Sequence, residues 1–316
     1  MTVSAHNVVK TFGGRSVLTD VSFCVGEREV MAVLGQADSG KTTLLKILSG
    51  CIRMSSGSVS IGGIDLHRHP RAAKRFIGYM PEGTPVYPAV TAREYLSMLA
   101  ELRGMNTKNA AKNADALADR FSLDGSAVII TLPPRSIRLL TLAGALAGDP
   151  QVVILDSPTQ GADPDTTRLI RSCIADIGRQ KCVIMTTTSL HEALSSATHV
   201  LALSDGRVSL CTSVESLRSS MAGSFRIRLR VVATVDMLFR MKDDIDEIMD
   251  MNILHTGDGN ITDIEVETVR QTDVQQHIWR YSADHDIPLL EMKNLGITED
   301  DLYLRLSGHI KGGGFQ

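Results

Sequence analysis

The sequence contains no apolar run long enough to cross a bilayer, so any membrane role must come through a partner. It has no C-x-x-C pair. Its five cysteines (Cys24, Cys51, Cys173, Cys182 and Cys211) are odd in number and scattered, which argues against a disulfide frame or zinc site and for reduced thiols in a cytosolic setting. It has no excess of positive charge. A net charge of −3 gives nucleic acid no electrostatic footprint to follow. The first residues lack the basic and apolar regions of a signal peptide. There is no internal repeat, and no Asn-Lys-x-Asp motif to read guanine. What remains is ordinary in bulk. At 316 residues, 43% hydrophobic and 22% charged, the chain suits a soluble globular protein with a full core and two domains.

One stretch carries chemistry. Gly35-Gln36-Ala37-Asp38-Ser39-Gly40-Lys41-Thr42-Thr43 has the pattern G-x-x-x-x-G-K-[ST] of a phosphate-binding loop. The apolar run Val30–Leu34 before it reads as a buried strand, and Leu44, Leu45, Ile47 and Leu48 after it repeat at helical spacing. Strand, loop and helix are the context this motif needs. The glycines let backbone N–H groups curl around phosphate oxygens, and the helix N-terminus adds a favourable dipole. Lys41 then reaches the β- and γ-phosphates, and the Thr42 hydroxyl can hold Mg²⁺.

The remaining pattern is mixed α/β. Val3 to Val25 predicts two or three strands around a Gly13-Gly14 turn. Phe76–Met80, Val152–Leu155 and Cys182–Thr186 predict further strands. Helices are expected from Thr91 to about Phe121, with Tyr95, Leu96, Leu99 and Leu102 on one face, and over Ile137–Ala147 and Thr166–Gly178. Ser189 and Glu192 predict a capping box, and Asp205-Gly206 a hairpin turn. Composition shifts near Ser219–Ser224, giving an expected division into domains 1–220 and 221–316. The second predicts a small α+β domain. Its strands are expected near 225–231, 264–266 and 289–295. Its helices follow Val235, Leu238, Met241, Ile245 and Ile248, then Val274, Ile278 and Tyr281, then Asp300–Leu306, ahead of a disordered Gly312-Gly313-Gly314 tail. Arg226, Arg228 and Arg230 alternate with apolar residues, as a solvated strand face or a basic row for anionic lipid or an acidic partner.

Asp156 closes the apolar strand Val152–Leu155, and its distance from Lys41 leaves room for an inserted helical subdomain. In order, the chain shows Phe12, the P-loop, Ile77-Gly78-Tyr79-Met80-Pro81-Glu82, Ala147-Gly148-Asp149-Pro150, Ile154-Leu155-Asp156-Ser157-Pro158-Thr159 and Gly161-Ala162-Asp163-Pro164. This order resembles the nucleotide-binding subunit of an ABC transporter over about residues 1–220. Glu291-Met292-Lys293 and Thr298 to Leu306 resemble the tail of the ABC-2 export branch. The resemblance implies a P-loop NTPase fold, with Asp156 on Mg²⁺, Phe12 stacked on adenine, and Glu82 where the family has the Gln that senses γ-phosphate, keeping an oxygen ligand so that Thr42, Asp156 and Glu82 make up the expected metal site. By residue type alone, Phe12 reads equally as core and Glu82 as a solvated loop carboxylate. Asp163 would meet a facing subunit, or is simply a turn aspartate before Pro164.

The chain departs from the family pattern at three places. Ser157 stands where the catalytic Glu should follow Asp156, and a hydroxyl is a poor proton acceptor at neutral pH. Thr188 stands where the switch His should be, with His191 three positions further on. Leu132-Pro133-Pro134-Arg135-Ser136 replaces Leu-Ser-Gly-Gly-Gln, so two N–H donors are lost, and Arg135 either supplies a charged fork in their place or is simply a solvated arginine. The resemblance therefore implies an ATP-binding subunit with Mg²⁺ as cofactor and weakened hydrolysis. It would lie peripherally on the inner face of the cell membrane, partnered by polytopic permease subunits and a second nucleotide-binding subunit. A nucleotide-responsive regulator or scaffold that binds ATP without significant hydrolysis is the alternative. A translation-type ABC ATPase would carry two P-loops, and only one is present.

Overall fold

The computed structural model describes residues 1–83, 87–222, 225–268 and 271–294. The chain divides into two compact units, Met1–Val214 and one that begins at Glu215.

In the first unit, β1 (Val3–Phe12) and β2 (Arg15–Val25) pair antiparallel across Gly13 and Gly14, whose φ angles of 53° and 85° need residues without a side chain. β3 (Val30–Leu34) is buried at all five positions, as a central strand of a parallel sheet must be. It leads through the P-loop into α1 (Lys41–Leu48), which buries Leu44, Leu45, Ile47 and Leu48. β4 (Ser56–Ile61) and β5 (Ile64–Asp65) complete an antiparallel sheet of order β2-β1-β4-β5. After α2 (Pro70–Lys74) come β6 (Ile77–Met80), α3 (Ala92–Leu102), α4 (Thr107–Arg120), α5 (Pro134–Leu146), β7 (Val152–Leu155), α6 (Pro164–Gly178), β8 (Cys182–Thr187), α7 (Leu190–Ser196), β9 (His199–Ser204) and β10 (Arg207–Ser213). The main sheet has the order β10-β9-β3-β8-β7-β6. All its pairs are parallel except the β9–β10 hairpin, where Asp205 and Gly206 take the positive φ expected of an Asp-Gly turn. Its apolar residues share one core with α1 and the antiparallel sheet.

Several expectations need correction. The helical stretch from Thr91 to Phe121 is two helices. The chain breaks at Arg103–Asn106, where Gly104 sits at φ 101° and Asn106 accepts a bond from Asn109 N as a new N-cap. Leu102 does not share the buried face with Tyr95 and Leu96, because it is 76% exposed at the helix end. α5 begins at Pro134, three residues earlier than expected, since proline at the first helical position gives up no intrahelical bond. Only half of the predicted capping box forms. Glu192 N donates to Ser189 Oγ, but the Glu192 carboxylate turns inward to other partners.

After α8 (Val214–Ala222), the second unit runs β11 (Phe225–Val232), α9 (Val235–Asp244), β12 (Ile248–Thr256), β13 (Ile261–Thr268), α10 (Gln271–Asp284) and β14 (Leu289–Asn294). Its four strands, all antiparallel in the order β12-β13-β11-β14, make the split βαβ of a ferredoxin-like unit. Ile227, Leu229, Val231, Ile264 and Val266 face the helices and bury Leu238, Met241, Val274 and Ile278. Sequence periodicity missed β12, and Ile248 opens that strand instead of extending α9. The arginine row lies across from a carboxylate row. Arg226 pairs with Glu265 at 3.0 Å, and Arg230 forms a two-pronged pair with Asp263. The row is thus largely neutralised within its own sheet, against the reading of a free basic surface. The helix expected at Asp300–Leu306, the glycine tail and the export-type ending after Thr298 lie outside the described residues. Among the described residues, no helix is long and apolar enough to cross a membrane.

Candidate functional site

The sheet order sets the site. β3 and β7 flank β8, so the P-loop and Asp156 leave the same edge of the sheet with the end of β8 between them. Register aligns Leu34 with Thr187 and Leu155 with Met185. Gly35 lies hard against the end of β9 and against its own loop, since a Cβ there would come 2.4 Å from Leu203 O and 2.5 Å from Ser39 Oγ. Gly40, at φ 100°, turns the chain into α1, whose N-terminus has no side-chain cap. Its leading N–H groups are therefore available to an anion.

Lys41 is buried, and its ammonium donates to Gly35 O at 2.9 Å and Gln36 O at 2.5 Å. Burial pushes its pKa down, while the charges of Asp156, Glu82 and Asp38 oppose that shift. Thr42 Oγ1 donates to Asp156 Oδ1 over 3.2 Å. Asp156 is fully buried, and its Oδ2 has no hydrogen-bond partner among the described residues. A buried carboxylate oxygen left open beside a hydroxyl is a donor set of hard oxygens that fits Mg²⁺. Arg15, Ser16, Val17, Asp38, Gly40, Lys41, Thr42 and Thr43, with Asp205 and Gly206 of the β9–β10 turn, line a cleft of about 640 Å³.

The structure thus brings Lys41, Thr42 and Asp156 together. Glu82 is exposed and acts on Lys41 through its charge. Gln36 and Ala37 are exposed at the loop crest. Phe12 is 49% exposed and is no core residue. It pairs with Arg15 at the end of the β1–β2 hairpin, with the Lys10 ammonium 4.5 Å above its ring. Ser157 follows Asp156 at φ 49°, and its hydroxyl lies 3.5 Å from Thr186 Oγ1. Thr188 is exposed beyond β8, and His191 is exposed in the first turn of α7. Neither is hydrogen-bonded to Lys41 or Asp156. Asp163 is the N-cap of α6, accepting from Thr166 N at 2.9 Å.

Sequence reasoning missed three residues. Thr186 joins Asp156 to Ser157, Arg138 reaches the carbonyls after β7, and Glu192 holds Thr159 and Thr187. Glu192 stood out only as a capping residue, and Arg138 only as part of an amphipathic helix. Its burial pushes the Arg138 pKa down, opposed by Glu82.

Residues 18–160 match the domain family described as ABC transporter. The Nod factor export ATP-binding protein I of Burkholderia lata is 32% identical over 211 residues, which is 65% of this chain and 68% of that protein. The daunorubicin resistance ATP-binding protein DrrA2 of Streptomyces coeruleorubidus is 26% identical over 316 residues, covering 97% of this chain and 95% of its own. The human phospholipid-transporting ATPase ABCA7 is 30% identical over 233 residues, or 72% of this chain, but the match spans only 11% of that much longer protein. Among solved structures, an ATP-binding subunit of an ABC transporter aligns with a TM-score of 0.64 at 22% identity, over 70% of this chain and 93% of that one. At that identity, the likeness shows the fold.

Proposed function

The chain belongs to the ABC transporter family, and from that premise we propose that it is the ATP-binding subunit of an exporter that holds MgATP but splits it slowly. The observation that carries the reading is the meeting of Lys41, Thr42 and Asp156 beneath a glycine-turned loop, with one oxygen of Asp156 left open. In this reading, residues 1–220 form the ATP-binding domain and 221–316 an accessory domain. The backbone from Gly35 to Thr43 cradles the phosphates, Lys41 turns from the loop carbonyls to the β- and γ-phosphates, and Phe12, paired with the cleft-lining Arg15, would stack on adenine. Thr42 and Asp156 hold Mg²⁺, with Glu82 near the γ-phosphate. When bound, Mg²⁺ neutralises charge that develops on the phosphates.

Slow chemistry follows from what surrounds that cradle. A positioned general base contributes about 10²–10⁴-fold, and Ser157 cannot act as one. Thr188 carries no imidazole, and Pro133 and Pro134 offer no N–H to a nucleotide on a facing subunit. The names of the relatives from Burkholderia and Streptomyces favour export and resistance. A polytopic permease would dock near Glu82, where Tyr87 and Ile130 are exposed on adjoining backbone segments. A second nucleotide-binding subunit would supply the facing half of each site, and the chain would sit on the inner membrane face.

Calorimetry with purified protein tests this. MgATP should bind at micromolar to millimolar concentration, and the Lys41→Ala chain should take up none. Turnover at the rate of an intact family member would overturn the slow-chemistry part. Co-purification with a polytopic subunit supports the transporter reading, whereas an exclusively soluble complex turns the case toward an ATP-responsive regulator.

A further inference from the structure

The geometry points to Arg138 and Glu192 as positioning residues that hold the segment Ser157–Gln160, one by its carbonyls and the other by its Thr159 hydroxyl, and so hold Asp156 in place for Mg²⁺. This deepens the MgATP reading and rests on it.

Arg138 projects from the second turn of α5. Its Nε donates to Pro158 O at 2.9 Å, its Nη2 to Gln160 O at 3.0 Å and also to Ser157 O, and its Nη1 to Glu82 O at 3.4 Å. One planar fork therefore ties three carbonyls of the segment after β7 to Glu82, two residues beyond β6. Only arginine presents enough fixed donors to do this. Thr159, which lies between those carbonyls, is held from elsewhere. Its hydroxyl donates to Glu192 Oε1 at 2.5 Å. The other oxygen of Glu192 accepts from Thr187 Oγ1 at 2.6 Å, and Thr187 O accepts from Gly35 N at 3.4 Å. Glu192 is only 5% exposed, so water does not compete for these bonds. The chain of contacts runs from α5 through residues 157–160 and Glu192 to the first residue of the P-loop. None of these side chains is part of the phosphate cradle.

Groups that orient a metal ligand without touching the metal typically change metal affinity by about 10–100-fold. The test compares the wild-type chain with Arg138→Met, Thr159→Val and Thr159→Ser. A fluorescent ATP analogue is titrated in EDTA, then Mg²⁺ is titrated into the analogue-loaded protein. Arg138→Met and Thr159→Val should keep analogue affinity in EDTA within about 2-fold and weaken Mg²⁺ by about 10-fold or more. Thr159→Ser keeps the hydroxyl and should restore the wild-type Mg²⁺ response. Equal weakening with and without Mg²⁺, or no weakening, overturns the assignment. A second arm needs no nucleotide. Amide hydrogen exchange over 157–163 should speed up about 10-fold in Arg138→Met while α1 keeps its protection, and unchanged exchange there also overturns it. If the wild-type chain takes up no analogue at all, the MgATP reading fails while the exchange arm still decides the clamp.

Discussion

Thr186 Oγ1 donates to Asp156 Oδ1 over 2.7 Å, at the edge of the sheet where the P-loop begins. The same oxygen accepts from Ser157 N at 2.7 Å, so one buried hydroxyl fixes both the carboxylate and the backbone turn that follows it. Thr186→Val keeps the shape and removes both bonds. A buried bond to a charged group is worth about 1.5–3 kcal/mol. Urea unfolding should show a loss of that order in Thr186→Val and little in Thr186→Ser. A valine variant as stable as wild type would show that Asp156 is held by other means.

Gly78 has a different kind of necessity. A Cβ built there would come 1.8 Å from Ala145 O and 2.8 Å from Pro150 Cγ. The first obstacle is backbone of α5, which cannot step aside as a flexible side chain can. Gly78→Ala must push β6 and α5 apart. Overpacking of this kind costs about 1–3 kcal/mol, and the denaturation midpoint should fall accordingly. Because the displaced helix is the one that carries Arg138, nucleotide affinity in Mg²⁺ should fall with it.

The turn of the P-loop and the buried strands were legible because each rests on local pattern. Val30–Leu34 is apolar throughout, Gly40 must turn at positive φ, and Lys41 and Thr42 follow at fixed offsets. The long-range partners were not legible. Arg138 and Ser157 are brought together by the packing of α5 against the sheet, and no spacing in the sequence encodes that contact. Glu192 misled because its position fits a capping box, yet a buried carboxylate gains more from two hydroxyls inside than from one exposed N–H. β12 was missed because Met249, Ile253 and Leu254 are exposed on an edge strand, so the usual alternation is absent.

Lys41 makes a pH prediction whose sign is set by burial. Its folded-state pKa lies below the ordinary 10.5, chiefly because burial disfavours the ammonium. The unfolded chain therefore binds the proton more tightly than the folded one. Between the lowered value and 10.5, stability of the ligand-free protein should rise with pH. Lys41→Met has no proton to bind there, so the stability difference between the two chains should shift in favour of wild type as pH climbs through that window. The same substitution should abolish MgATP uptake at neutral pH. A difference that stays flat up to pH 10.5, measured by urea unfolding across a pH series, would mean that the loop carbonyls of Gly35 and Gln36 fully replace the lost solvation.

Ser157→Glu tests the proposed slow chemistry, separating a single missing base from a wider change. A positioned base is worth about 10²–10⁴-fold in rate. Glutamate here would enter at a left-handed φ of 49°, with its N–H already given to Thr186 and its carbonyl held by Arg138. The backbone at 157 is thus held on both sides before the new side chain is added. Under the proposed slow chemistry, two deficits would remain: the exposed Thr188 offers no imidazole, and Pro133 and Pro134 would offer no N–H to a facing nucleotide. Steady-state ATPase of Ser157→Glu should therefore rise by less than the lower end of that range, with MgATP affinity little changed. A rise of about 10³-fold or more would locate the whole deficit at residue 157 and make the proline pair irrelevant to turnover.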